Sequence, residues 1–165
     1  MHEISGFGSS AAALIFWVGF CVAVGVISGL LTRTEIMGWY AGLRKPSFNP
    51  PNWIFGPVWT TLYILMGVAA WTVWQQPLSQ PRTYALAWFA IQLGLNFLWS
   101  MIFFRWHAIA DALGEISILW LAILATMVMF WEVYPLAGWL MVPYLAWVSF
   151  ATVLNLGIFR LNRNR

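Results

Sequence analysis

The sequence predicts an all-α fold, a polytopic membrane protein built as a bundle of five transmembrane helices. The first observation is composition: the 165 residues are 62% apolar and only 8% charged, whereas about a quarter of the residues in a soluble domain are charged. Mean hydropathy is accordingly high, at +0.77. The second observation is that long uncharged segments recur along the chain, and the third is that most basic residues fall on one side of them.

Five apolar segments are long enough to cross a bilayer, since a spanning helix needs roughly 20 apolar residues. We place the spans near residues 10–32, 53–76, 83–104, 110–132 and 137–160. The last four spans are separated by short connections, two of which contain Pro. The whole chain, residues 1–165, is therefore expected to form a single domain.

Charge placement supports an odd number of spans, which puts the two termini on opposite sides of the membrane. Seven of the eight Lys and Arg residues then share one side; they are Arg33, Arg44, Lys45, Arg105, Arg160, Arg163 and Arg165. The positive-inside rule makes this side cytoplasmic. The N-terminus is therefore predicted outside and the C-terminus in the cytoplasm, and nucleic acid is not an expected partner.

The first span is expected to remain in the protein. It lacks a basic leading region, and its apolar run is too long for a cleaved signal peptide. Gly25 and Gly29 form a small-xxx-small pair, which favours close helix packing within the monomer or in a homodimer. Cys21 is the only cysteine, so no intramolecular disulfide is possible.

The first connection is stiff and aromatic. Residues 39–59 read WYAGLRKPSFNPPNWIFGPVW and contain four Pro and three Trp residues, with charge only at Arg44 and Lys45. Each Pro fixes its own φ angle and restrains the residue before it. Such a connector loses less conformational entropy on ordering than a Gly- or Ser-rich loop would.

Aromatic and small residues step by four along two spans, which places them on one helical face. The series are Trp59, Tyr63, Gly67 and Trp71 in the second span, and Pro143, Trp147, Ala151 and Asn155 in the fifth. Trp59 and Trp147 share their faces with small or polar residues, which leaves room for a flat aromatic ligand to stack. The alternative for any Trp of this chain is a role in packing or at the membrane interface.

Polar residues on the third and fourth spans each allow two interpretations. Gln92, Asn96 and Ser100 share one face of the third span, where they form either interhelical hydrogen bonds or the polar wall of a ligand cavity. Asp111 and Glu115 begin the fourth span. There they either complement the positive end of the helix dipole or take part in a proton relay.

Conventional catalytic and metal-binding patterns are missing from the sequence. Its two histidines, His2 and His107, have no second ligand at metal-binding spacing. No Ser-His-acid grouping, Walker loop or dinucleotide fingerprint occurs. We therefore predict no metal site, no obligatory cofactor and no conventional enzyme.

The connector and three spans carry motifs of a known family. The segments WYAGLRKPSFNPPNWIFGPVWTTLYILMG (39–67), QLGLNFLWSMIFF (92–104) and VPYLAWVSFATVLN (142–155) follow one another at compatible spacing. Together they resemble the translocator protein family, TspO/MBR, which includes bacterial tryptophan-rich sensory proteins and the mitochondrial peripheral-type benzodiazepine receptor. The likeness covers nearly the whole chain.

The resemblance implies a five-helix bundle whose ligand pocket opens toward the cytosolic side, with the first connection as a lid loop over it. By motif position it assigns ligand binding to Trp39, Tyr40, Lys45, Pro46, Trp59, Asn96, Trp99, Tyr144, Trp147, Ala151 and Leu154. Tyr63 and Gln92 join this set from the aromatic and polar faces described above. The resemblance also implies that Trp59 and Trp147 take part in light-dependent oxidation of a porphyrin.

The implied ligand is a tetrapyrrole such as protoporphyrin IX or haem, held by a carrier, sensor or scavenger, with Arg44 and Lys45 as cations for the propionates. The alternatives are sterol or lipid transport, binding of isoquinoline- or benzodiazepine-like ligands, and a purely structural membrane role. Leu156 stands where the animal cholesterol motif has Tyr, which weakens the sterol alternative. The expected location is a bacterial cell membrane, or the mitochondrial outer membrane if the source is eukaryotic.

Overall fold

Five long α-helices form the fold of the residues that the structure describes. The computed structural model describes the backbone of residues 3–163 and the side chains of residues 10–163, so His2 and Arg165 lie outside the described residues. The helices are α1 (Glu3–Met37), α2 (Asn52–Trp74), α3 (Gln80–Ser100), α4 (Ile109–Val133) and α5 (Pro135–Asn162). All five are long and apolar enough to cross a membrane, which confirms the predicted transmembrane bundle.

Prolines and caps set several helix boundaries. Helix α2 follows Pro51, whose extended backbone conformation caps the helix without a side-chain hydrogen bond. At the start of α3 the Oγ of Ser79 accepts a hydrogen bond of 3.3 Å from the backbone N–H of Arg82, and Pro81 occupies the first turn, where its missing N–H costs nothing. Pro135 begins α5 in the same way.

Helix α3 is extended by a π-helical turn, Met101–Arg105, and the chain then reverses at His107. His107 has a φ of 58°, in the left-handed region that residues other than Gly seldom adopt. Its Nε2 lies 2.9 Å from the carboxylate of Glu35, which also accepts a hydrogen bond of 3.3 Å from Arg105. This cluster joins the end of α1 to the α3–α4 connection.

The helices follow one another around the bundle in the order α1, α2, α5, α4, α3, with each helix packed against its neighbours. Helix α1 is the most peripheral: its buried residues among those with described side chains are Cys21, Ser28 and Thr32. It packs tightly against α2, because a Cβ atom added to Gly67 would lie 2.5 Å from the Cα of Val18.

The predicted Gly25–Gly29 pair does not act as a unit in the described chain. Gly25 packs directly against the ring of Tyr63, so a Cβ atom there would overlap that ring. An added Cβ on Gly29 would meet no atom within 4 Å. Close packing within the described chain therefore depends on Gly25, while Gly29 borders open space.

Candidate ligand-binding site

A cavity of about 340 Å³ lies between α1, α2, the end of α3 and α5. This volume falls within the range of roughly 300–1,000 Å³ that is typical of small-molecule sites. Its wall is rich in aromatic side chains: Tyr40, Phe55, Trp59, Tyr63, Trp99, Phe103, Phe104 and Trp147. The cavity is therefore suited to a flat, largely apolar ligand.

Trp59 of α2 and Trp147 of α5 both line this cavity. Each is half-buried and held by other rings. Trp59 lies 5.7 Å from the ring of Tyr63 and 6.2 Å from that of Tyr144, while Trp147 packs edge-on against Phe55 at 5.8 Å. These contacts fix the orientation of the two indoles toward the cavity rather than toward lipid.

The polar residues on α3 separate into two groups. The hydroxyl of Tyr63 donates a hydrogen bond of 2.5 Å to Asn96 Oδ1, and the amide of Gln92 lies 3.9 Å from the sulfur of Met66. Both Asn96 and Gln92 are buried between helices and lie outside the cavity wall, whereas Ser100 lines the cavity. Gln92 and Asn96 thus make contacts between helices, whereas Ser100 forms part of the cavity wall.

The remaining predicted positions on α3 and α5 surround the same space. Trp99, Ala151 and Leu154 line the cavity, and Trp99 stacks on Phe103 at 5.2 Å. The indole Nε1 of Trp99 is buried without a hydrogen-bond partner in the described part of the chain. Tyr144 is fully buried behind the wall, where it supports Trp59.

The connector between α1 and α2 contributes one predicted residue, Tyr40, directly to the cavity wall. Trp39 instead stacks on His107 at 4.2 Å. Pro46 packs against α5, since an added Cβ on Gly157 would lie 3.5 Å from the Cβ of Pro46. Trp39 and Pro46 thus hold the connector against the bundle from outside the cavity wall.

Lys45 lies behind Tyr40. Its ammonium group sits 4.6 Å from the centre of the Tyr40 ring and donates to the carbonyl oxygens of Ala41 and Leu43, both at 3.3 Å. Partial burial lowers the pKa of Lys45. Burial raises the pKa of Tyr40 to about 12, opposed by the hydrogen bond of 3.0 Å that its hydroxyl donates to Asn49.

Sequence reasoning did not anticipate the contribution of α1 or of the π-helical turn. Ser28 and Thr32 line the cavity from α1, and their spacing of four residues within an apolar span was an available signal. Phe103 and Phe104 both lie in the π-helical turn and also line the cavity. No sequence pattern indicated that turn.

Comparison with known proteins assigns the chain to a family. The sequence profile of the TspO/MBR family matches residues 17–161. The chain belongs to the TspO/MBR family. As a member of this family with five membrane-spanning helices, it is an integral multi-pass membrane protein.

Relatives within the TspO/MBR family come from bacteria, archaea and animals. The chain is 42% identical over 154 residues to the tryptophan-rich sensory protein of Cereibacter sphaeroides, covering 93% of this chain and 94% of the relative. It is 39% identical over 141 residues to the tryptophan-rich protein TspO of Archaeoglobus fulgidus, covering 86% and 91%. The human translocator protein is 38% identical over 154 residues, covering 88% and 91%.

Proposed function

We propose that this TspO/MBR family member is a membrane carrier or sensor whose ligand is a tetrapyrrole such as protoporphyrin IX or haem. The observation that carries the proposal is that Trp59 and Trp147 line one aromatic cavity. Flat rings favour offset-stacked or edge-on contact with other rings, and this wall offers both. The names of the relatives, translocator protein and tryptophan-rich sensory protein, support a role in transport or sensing.

The acidic propionates of such a ring would lie toward the connector. Lys45 stands directly behind the cavity-lining Tyr40, and Arg44 is its exposed neighbour. A propionate that passes the edge of Tyr40 would meet these two cations. Lys and Arg form strong charge-assisted hydrogen bonds with carboxylates. In this proposal the connector covers one end of the cavity, and the positive-inside rule predicts that this end faces the cytoplasm.

The test is a titration of purified protein with protoporphyrin IX, followed by quenching of Trp fluorescence. Wild-type protein is expected to show saturable quenching, with affinity about fivefold weaker after Trp59→Phe or Trp147→Phe because the larger indole contributes about 1 kcal/mol of ring contact. Trp139→Phe is the matched control, since Trp139 is exposed on α5 and lies outside the cavity wall. Equal affinity in all four proteins would exclude this cavity as the binding site.

Light-dependent oxidation of the bound ring by dissolved dioxygen is a second candidate function. It is favoured by the presence of two indoles in one cavity wall, each in contact with further rings that can share an oxidising equivalent. Illumination of the complex should then change the porphyrin absorption faster than in free porphyrin. Bleaching at the rate of free porphyrin would show that the protein binds the porphyrin but does not promote its oxidation.

A further inference from the structure

The cavity extends to the outer surface of the bundle between α1 and α2. Val26 and Gly29 on α1, with Gly56 and Thr60 on α2, line the cavity and are also exposed on the outside of the bundle. An added Cβ on either Gly29 or Gly56 would meet no atom within 4 Å. These four residues form the rim of an opening, termed here the α1–α2 portal.

The portal faces the hydrocarbon part of the membrane. Gly29 lies eight residues before the end of α1 at Met37, and Thr60 lies eight residues after the start of α2 at Asn52. At about 1.5 Å per residue, both are about 12 Å along their helices from the ends that the connector joins. Arg33, the first charged residue after Gly29, is exposed and lies about 6 Å further along α1, so the portal lies on the apolar side of that charge, where the acyl chains begin.

The rim of the portal presents little polarity to those chains. Val26, Gly29 and Gly56 have no polar side-chain atoms. The hydroxyl of Thr60 donates a hydrogen bond of 2.9 Å to the backbone carbonyl of Gly56, so it is satisfied within its own helix. An apolar ring crossing this rim would therefore displace lipid without breaking side-chain hydrogen bonds between helices.

The two helices are held together firmly beyond the portal. Gly67 meets the backbone of Val18, and Gly25 meets the ring of Tyr63. Closer to the far end, Trp71 Nε1 donates a hydrogen bond of 3.0 Å to the carbonyl oxygen of Ser10. The α1–α2 contact is thus closed from Gly25 toward the far end of the bundle and open at the portal.

The connector end of the cavity is, by contrast, held by directional bonds. Asn162 of α5 exchanges two hydrogen bonds with the backbone of Arg44, and Pro46 packs against Gly157. Entry past the connector would have to break these contacts, whereas no side-chain hydrogen bond joins α1 to α2 at the described rim of the portal.

We infer that the tetrapyrrole reaches and leaves the cavity sideways, from the bilayer, through the α1–α2 portal while the connector stays docked. This inference rests on the proposed tetrapyrrole function and adds its route. The bilayer therefore acts as the reservoir of ligand, and the connector serves as a fixed wall during exchange.

The first test narrows the portal with the double variant Gly29→Phe/Gly56→Phe. Stopped-flow quenching of Trp fluorescence by protoporphyrin IX in phosphatidylcholine vesicles should show association and dissociation both slowed by about tenfold, because ligand crosses the portal in both directions. Gly19→Phe is the matched control, since Gly19 is exposed on α1, has open space around it and lies outside the cavity wall. Faster dissociation would instead indicate a damaged cavity and contradict the inference.

The second test locks the connector. In a Cys21→Ala background, Pro46→Cys with Gly157→Cys places two Cβ atoms about 3.5 Å apart, within the range for a disulfide. Oxidised and reduced forms of this same variant should bind protoporphyrin IX at equal rates. If oxidation slowed association tenfold while Gly29→Phe/Gly56→Phe associated at the wild-type rate, the inferred route through the portal would be wrong.

The two tests separate this inference from the function on which it depends. Absence of saturable quenching in wild-type protein would contradict both the proposed function and the inferred route through the portal. Normal equilibrium binding, combined with slow association in the oxidised disulfide variant, would contradict the route through the portal but not the proposed function. If the double Phe variant fails to fold, the single variants and the disulfide comparison still decide the route.

Discussion

Asn162 and Arg44, 118 residues apart in the chain, are joined by two hydrogen bonds. Asn162 Oδ1 accepts from the backbone N–H of Arg44 at 3.1 Å, and Asn162 Nδ2 donates to the carbonyl oxygen of Arg44 at 2.9 Å. A buried side-chain amide thus replaces the backbone partner that the connector lacks. The pairing fixes the connector to the last turn of α5.

Replacing Asn162 with Ala should release the connector. Each lost hydrogen bond costs about 1 kcal/mol, so hydrogen exchange at the Arg44 amide should become roughly tenfold faster or more. Exchange measured by mass spectrometry on protein in detergent checks this. Arg163→Ala, at the exposed neighbouring position, should leave the exchange rate unchanged. Equal protection in both variants would show that other contacts hold the connector.

Replacing Gly67 with Ala should destabilise the α1–α2 contact. The added Cβ would lie 2.5 Å from the Cα of Val18 and 2.9 Å from the carbonyl oxygen of Trp17, both backbone atoms that cannot rotate away. We expect a loss of about 1–3 kcal/mol, measured by reversible unfolding in mixed micelles. Gly94→Ala on α3, where an added Cβ meets no atom within 4 Å, should be neutral or stabilising.

Replacing Glu115 with Leu should stabilise the bundle. Both carboxylate oxygens of Glu115 are buried and have no hydrogen-bond partner in the described part of the chain, and such burial costs about 1–3 kcal/mol. Asp111, by contrast, is exposed and is the acidic residue in the first turn of α4. Asp111→Leu should therefore bring no gain in the same unfolding measurement. A loss of stability in Glu115→Leu would point to a partner such as a bound water or ligand.

Stability should fall at high pH partly through Tyr40. Burial raises the pKa of Tyr40 to about 12, from 10 in the unfolded chain, so the folded state keeps the phenol protonated. The resulting stabilisation is complete below pH 10 and is lost as the pH rises toward 12. Tyr40→Phe should show a smaller fall in unfolding free energy over this range than wild type. Tyr134→Phe, an exposed position, should behave like wild type.

The number and type of elements follow from sequence alone because the bilayer imposes a strict rule. Each spanning segment must satisfy its own backbone hydrogen bonds, so an apolar run of sufficient length has to become a helix. Periodicity of four likewise placed Trp59 and Tyr63 on one face of α2, and Trp147 and Ala151 on one face of α5. In the folded chain these faces meet at the same cavity.

Tertiary structure decided which of the predicted site residues reach that cavity. Trp39, Lys45, Pro46, Gln92, Asn96 and Tyr144 lie outside its wall. Their neighbours in space, such as Tyr63 for Asn96 and Gly157 for Pro46, come from distant parts of the sequence. Helical periodicity specifies a face but not what that face meets.

The sequence by itself determined five membrane-spanning helices and a stiff aromatic connector, since both depend on local composition. Only the tertiary structure decided the π-helical turn that contains the cavity-lining Phe103, the docking of the connector on Asn162, and the opening between α1 and α2. These features arise from packing between segments far apart in the chain, where the fit of individual side chains and the absence of a Cβ at a glycine determine how closely two helices approach.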